Sequence, residues 1–293
     1  MPSRPAPTRL APYARLPRTY RDLHIVHSTV DAYGRAHWLL CRHRLDRGRT
    51  DPWDALVVTV EDGSSYETHL SAVLARCRQL EALPDGGFVL AAFRSGKDED
   101  HVQVFDALGR STWTFHLGDG IEALLADEAG DLWVGYFDEG TCGSDELSWP
   151  GLRRWSSAGE PLWQYGRGPG LEPIFDCYAL NVDTRATWAC PYRHFPLLEI
   201  RDSLVVGARA NPVAGAHGLA VHADRVVFFS PYGDDGSRIV DCRLTKNTVE
   251  PVAEGRLVRP DGGELGRRRV VCRGPRLYVQ EESFTEWTLL DIA

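Results

Sequence analysis

Eight residues of this 293-residue chain fall at matching places in a loosely repeated pattern and could do chemistry: His24, Glu122, Tyr136, Asp176, Tyr178, Tyr192, His217 and Tyr232. An imidazole, with an unperturbed pKa of about 6.5, exchanges protons near neutral pH. Beside Glu122 or Asp176 such a group could serve acid–base catalysis. His24, His217 and a carboxylate are also donors that a divalent metal accepts. A calcium-like ion would want about six oxygens, and no contiguous Asp-x-Asp-x-Asp loop offers them. The tyrosines bring apolar ring faces with a polar tip, suited to rimming a small-molecule pocket. A structural reading stands beside these: polar residues lining a wet axis, and tyrosines packing between neighbouring sheets.

Familiar catalytic signatures are absent. The chain has no Gly-x-Ser-x-Gly elbow, Walker loop, His-Glu-x-x-His or zinc-finger spacing. Seven cysteines are scattered without a Cys-x-x-Cys pair, and the first twenty residues, rich in Pro and Arg, lack the apolar run of a secretory signal. The expectation is a cytoplasmic protein with reduced thiols, mostly buried in strands. Cys142, in Gly140-Thr141-Cys142-Gly143, is expected to be exposed; no histidine lies near it in sequence, which argues against a nucleophile. His194, in Tyr192-Arg193-His194-Phe195-Pro196, is a loop histidine without an evident partner. A net charge of −8 argues against nucleic acid as a partner, and no stretch approaches the roughly 20 apolar residues that span a bilayer.

These residues must be positioned by strands. Large apolar anchors at Trp38, Phe88, Trp133, Trp188, Phe229 and Tyr278 recur at intervals of 41 to 55 residues, the size of a four-stranded blade. Each anchor follows a first strand (His24–Val30, Gln79–Leu83, Ile121–Ala126, Tyr178–Val182, Leu219–Val221, Arg269–Arg273) and a turn rich in Gly, Asp and Pro. A third strand comes after each anchor, and a fourth in most copies. Helical periodicity shows only weakly, around Leu70–Leu80. The fold class expected is all-β: a six-bladed β-propeller of four-stranded antiparallel blades. The last copy stops after its third strand, which leaves an edge unpaired. A segment within Tyr13–Tyr20 is therefore expected to close it as an outermost strand, where Pro17 would be tolerated. Residues 1–20 then form a tail, and 21–293 a single domain.

The third copy, Asp127-Glu128-Ala129-Gly130-Asp131-Leu132-Trp133-Val134-Gly135 followed by Gly151-Leu152-Arg153-Arg154-Trp155, resembles bacterial repeats of the two-component-regulator propeller type. Virginiamycin B lyase-like and gluconolactonase-like propellers share the same blade grammar. The first resemblance implies a sensor-like binding domain and the second an enzyme, while a shared fold carries no chemistry by itself.

Loops joining second to third strands (Arg42–Asp54, Arg94–Asp100, Asp138–Pro150, Pro191–Pro196, Pro231–Ser237, Glu281–Thr285) are longer than the first turns. They are also acidic, at Asp98-Glu99-Asp100, Asp138-Glu139, Asp145-Glu146, Asp234-Asp235 and Glu281-Glu282. Function usually lives on long loops held by a rigid scaffold, and the strand entrances His24, Glu81, Glu122, Asp176, Tyr178 and His217 open on the same side. The expected function is binding of a small molecule or protein partner on that face, over the channel. The alternative is a lyase or a lactone or ester hydrolase using His, Asp and Glu at the channel mouth, metal-assisted or not.

Overall fold

The computed structural model describes residues 7–46, 48, 50–96, 99–166, 168, 170–233 and 236–293. Short runs of Val, Leu, Phe and Trp, broken every few residues by turn formers, give almost only strands. Among the described residues the exceptions are a 3-10 turn, Arg18–Tyr20, and one α-helical turn, Asp138–Thr141, inside a long loop. All six anchors lie in second strands and are buried.

Blade one is His24–Val30, Ala36–Cys41, Trp53–Glu61 and Ser64–Val73; blade two is Gln79–Ala82, Phe88–Ala91, Val102–Phe105 and Ser111–Phe115. Blade three is Ile121–Ala126, Leu132–Tyr136, Leu152–Trp155 and Pro161–Gln164; blade four is Asp176–Val182, Thr187–Tyr192, Leu197–Arg201 and Leu204–Arg209. Blade five is Gly218–His222, Arg225–Phe229, Arg238–Leu244 and Val249–Val258. Blade six is Arg268–Arg273, Arg276–Glu281 and Glu286–Asp291, with Ala11–Arg15 as its outermost strand. The fold class is a six-bladed β-propeller, its last blade completed from the N-terminal end.

Two details differ from the sequence reading. The completing strand meets the expected window only at Tyr13–Arg15, and Pro17 lies beyond it, just before the 3-10 turn. Leu10 decides this register: it is 2% exposed, packs with Leu257 and Ile292, and Tyr13 then meets Tyr278 edge to face. Pro7–Arg9 adds a further, parallel strand to Val249–Val258 of blade five. Around Leu70–Leu80 there is no helix. Leu70 ends one blade and Leu80 begins the next, and both point into one apolar cluster, which mimics helical spacing.

The chain forms two compact units. Ala14–Gly166 holds blades one to three; the N-terminal residues to Tyr13, with the chain after Gly166, hold blades four to six. In each unit the core lies between adjacent blades: one cluster joins blades one and two, another two and three, a third four and five, and a fourth five and six. Facing sheets bury the alternate residues of each strand. Six of the seven cysteines are buried and Cys142 is exposed.

One turn recurs in the first unit. Asp31 accepts backbone N–H bonds from Tyr33 and Arg35 and a side-chain bond from Arg35 Nε at 2.6 Å. Asp106 does the same for Leu108, Arg110 and Arg110 Nε. Asp127 accepts from Ala129 and Asp131, and its second oxygen from Trp133 Nε1 and Arg154. A carboxylate placed this way closes the hairpin as a backbone carbonyl would. Gly130, at φ +90°, supplies the left-handed residue the turn requires.

The acidic long loops are largely tied into the protein. Asp119 and Glu139 pair with Arg94, and Glu281 pairs with Arg259 and accepts the Gly266 N–H. Asp98, Asp234 and Asp235 lie outside the described residues. Asp145 accepts from His116 Nε2 at 2.5 Å, and His116 Nδ1 stands 3.1 Å from Nδ1 of His101. His101 is 4% exposed, and its buried Nε2 has no hydrogen-bond partner among the described residues. Burial, opposed in part by the Glu99 carbonyl, lowers this imidazole to about 4. Unfolded, it takes its proton near pH 6.5; folded, near 4. Its contribution to stability is therefore complete above pH 6.5 and lost as the pH falls toward 4, on the order of 3 kcal/mol in all. Melting temperature followed from pH 7 to 4 should fall, and His101→Gln should flatten that dependence. Parallel curves for the two proteins would exclude His101 as the titrating group.

Candidate functional site

Three first strands carry an extra residue just after they begin. In blade four, Cys177 pairs with Pro191 and Ala179 with Cys190, so Tyr178 has no opposite number. Glu122 holds the equivalent place in blade three, and Val26 in blade one. A bulge breaks the in–out alternation and re-aims its side chain. Tyr178 thereby reaches the neighbouring loops.

Around it, on the long-loop side of blades four and five, the structure assembles an aromatic cluster. The Phe195 ring is 5.3 Å from Tyr178, 5.7 Å from Tyr192 and 5.4 Å from Tyr232, edge on to each. His217 stacks on Tyr178 at 5.6 Å and 28°. The hydroxyls of Tyr232 and Tyr178 are hydrogen-bonded to each other at 2.5 Å. Edge-to-face pairs at these separations are favourable beyond their buried area. Phe195 is 6% exposed, whereas Tyr192 and Tyr232 are 41% and 49% exposed. The cluster is packed within and open outside.

Local chain geometry fixes each ring. His194 and Phe195 both have left-handed backbone, at φ +64° and +50°, conformations that cost energy and persist only when held by their surroundings. Asn211 holds this one: its Nδ2 donates to the carbonyls of Phe195 at 2.9 Å and Val213 at 3.1 Å, while its Oδ1 accepts the Val213 N–H. Gly215, at φ +68°, lies under Tyr232, where a Cβ would stand 2.1 Å from the ring. Any larger residue displaces the tyrosine.

Electrostatics set the protonation states. The hydrogen bond with Tyr232, then burial, raises the Tyr178 hydroxyl well above the usual phenol range. Loss of hydration against the Tyr178 ring, with Arg268 nearby, lowers His217. At neutral pH its imidazole is neutral and able to accept a proton. Asp176 lies half-buried at the strand start, opposite Tyr192.

Of the eight residues singled out from sequence, Tyr178, Tyr192, His217 and Tyr232 meet here, with Asp176 beside them. Tyr136 does not belong to an open site. It is fully buried in blade three, its hydroxyl donating to the Leu117 carbonyl, because Ile121 opposite it starts the buried part of that strand. Glu81, read as a strand entrance, is also buried and accepts from Thr29 Oγ1 at 3.2 Å. His24 and Glu122 are exposed in the first unit; the strands around Glu122 cost its carboxylate hydration and raise its pKa. His194 is exposed, 3.7 Å from Glu172. Phe195, the hub of the cluster, escaped the sequence reading; the only signal was its place in a short loop flanked by Pro191 and Pro196. Among the described residues, no group of three or more His, Cys, Asp or Glu is arranged to hold a metal ion.

No family model matches the chain, and no curated protein matches its sequence. Among solved structures, Hsv2 from Kluyveromyces lactis is similar with a TM-score of 0.52 at 12% identity, over 92% of this chain and 75% of that one. A gluconolactonase from Xanthomonas campestris is similar at 0.45 and 13%, over 98% of both chains. The PQQ-bound aldose sugar dehydrogenase from Streptomyces coelicolor is similar at 0.44 and 14%, over 90% of this chain and 99% of that one. The likeness is one of fold. At such identities no residue role passes between the chains.

Proposed function

We propose that the protein is a binding module whose recognition surface is the aromatic cluster of Tyr178, Tyr192, Phe195, His217 and Tyr232, and that its partner is a protein or peptide. The observation that carries this reading is the division of exposure within the cluster. Phe195 packs edge on against both rings, while Tyr192 and Tyr232 keep part of their surface open to solvent. A small molecule needs concavity for affinity. A peptide needs rigid, amphipathic anchors, and tyrosine is enriched among interface hot spots. Arg193, over the Phe175 ring at 5.9 Å, extends the same surface with a cation.

The enzymatic reading rests on His217, neutral and open to solvent. Against it, no described carboxylate or nucleophile is hydrogen-bonded to that imidazole to orient it, as acid–base catalysis requires.

The test is the pair Tyr192→Ser and Tyr232→Ser. Partners enriched on the immobilised wild-type protein are identified and then titrated by calorimetry. Each change should weaken a true partner at least tenfold, about 1.4 kcal/mol or more, with the melting temperature nearly unchanged. Affinities within twofold of wild type would reject the surface. Turnover of an aldonolactone or ester panel that His217→Gln abolishes would decide for the enzyme.

A further inference from the structure

In the first unit, on the side of the short turns, the outer hairpin of blade one and the 84–87 turn of blade two enclose a cleft of about 200 Å³. Its floor is apolar, from Ala82, Leu83 and Phe88; its walls are Arg35, Thr59, Glu61, Tyr66 and Thr68. The walls follow from register. His37 pairs with Thr59 across one ladder, and Thr59 with Tyr66 across the next, so the three side chains share one face.

Behind them stands a rigid support. His37, 2% exposed, bonds Asp31 Oδ2 through Nε2 at 3.0 Å and Thr59 Oγ1 through Nδ1 at 2.9 Å. Both ring nitrogens are thus committed, which makes His37 a brace and not a base. Asp31, held down to about 2 by His37 and Arg35 against the opposing effect of burial, stays ionised and fixes the Arg35 Nε. Such a chain of bonds holds the wall in one geometry.

What remains unused points to the ligand. Among the described residues, the terminal nitrogens of Arg35, the Glu61 carboxylate and the hydroxyls of Tyr66 and Thr68 have no hydrogen-bond partner in the protein. One cation and one anion leave the walls without net charge, and the hydroxyls both donate and accept. Every hydroxyl of a sugar does the same, while its C–H face suits the Tyr66 ring and the apolar floor. The volume is below the roughly 300–1,000 Å³ of drug-sized pockets, which limits the occupant to about one ring.

We infer that this cleft is a binding site for a neutral, polyhydroxylated ligand of monosaccharide size. The cleft belongs to the first unit and the aromatic cluster to the second, and the inference is independent of the function proposed there.

Calorimetry of the full chain against neutral aldohexoses, aldopentoses and myo-inositol tests it, with free glycine and serine as zwitterions able to use the same Arg35 and Glu61. Expected is saturable binding of at least one polyol, weakened tenfold or more by Glu61→Gln and by Tyr66→Ala, and unchanged by Tyr192→Ser. Both substituted positions are exposed, so melting temperatures should stay near wild type. Tyr66→Phe, which keeps the ring, should retain part of the affinity. Three results overturn the inference: no saturable binding across the polyol panel, a polyol affinity indifferent to both Glu61→Gln and Tyr66→Ala, or binding of the amino acids in preference to every polyol.

Discussion

Asn181→Leu should lower the melting temperature by roughly 10 °C, the largest effect expected of any single side chain in the second unit. Asn181 is fully buried in the first strand of blade four. Its Nδ2 donates to the carbonyls of Leu219 in blade five at 2.8 Å and Gly274 in the turn of blade six at 2.9 Å. Its Oδ1 accepts the Gly274 N–H at 2.7 Å. One amide thus joins three blades, with partners up to 93 residues away in sequence. The Gly274 carbonyl also receives the Val221 N–H, so it keeps a partner when Asn181 is lost. The Gly274 N–H is left buried and unbonded, a penalty of about 1–3 kcal/mol, to which two lost bonds add about 1 kcal/mol each. At about 2–4 °C per kcal/mol for a domain of this order of size, the total reaches the stated shift. Asn181→Asp should not rescue it, since a carboxylate can accept from Gly274 N–H but sets an oxygen against two carbonyls. Circular dichroism melts decide, and a Leu variant within 2 °C of wild type would sink the argument.

Removing residues 1–15 should do more harm still. That segment covers two sheet edges in succession. Pro7–Arg9 runs parallel to blade five, and Ala11–Arg15 completes blade six. Between them Leu10 donates its N–H to the Val258 carbonyl at 3.0 Å and buries its side chain with Leu257 and Ile292. Loss of a buried leucine side chain alone costs about 2–5 kcal/mol. Two uncovered edges would add lost ladder bonds and a template for aggregation. The truncated protein should melt at least 10 °C lower and show concentration-dependent association by light scattering. Leu10→Ala isolates the packing part and should give about half the shift without association. A truncated protein that melts and behaves like the full chain would show that the edges need no cover.

The repeat was legible in sequence because strand-forming residues and turn residues act locally. Trp38, Phe88, Trp133, Trp188, Phe229 and Tyr278 each sit between two turn signals, and each lies buried in a second strand. The Asp-x-x-Gly turns were readable for the same reason, since Asp127 closes its hairpin using bonds within four residues. Four of the eight site residues also converged, because antiparallel pairing puts the start of each first strand opposite the end of the second, as with Asp176 and Tyr192.

What sequence could not decide was the direction in which a given side chain leaves its strand. Tyr136 and Tyr192 both end second strands, yet Tyr136 is buried and Tyr192 is open. Both first strands carry a bulge, but Tyr136 forms the first pair beyond it, with Ile121, and Tyr192 the second, with Asp176. Successive strand residues face opposite ways, so that one step of register turns one ring inward and the other outward. Phe195 became the hub of the site only because Asn211, sixteen residues away, holds its backbone in a left-handed turn. Local propensity thus determined that blades form and where they begin. Register, bulges and contacts between residues far apart in sequence determined which aromatic rings meet and which polar groups are left free to bind.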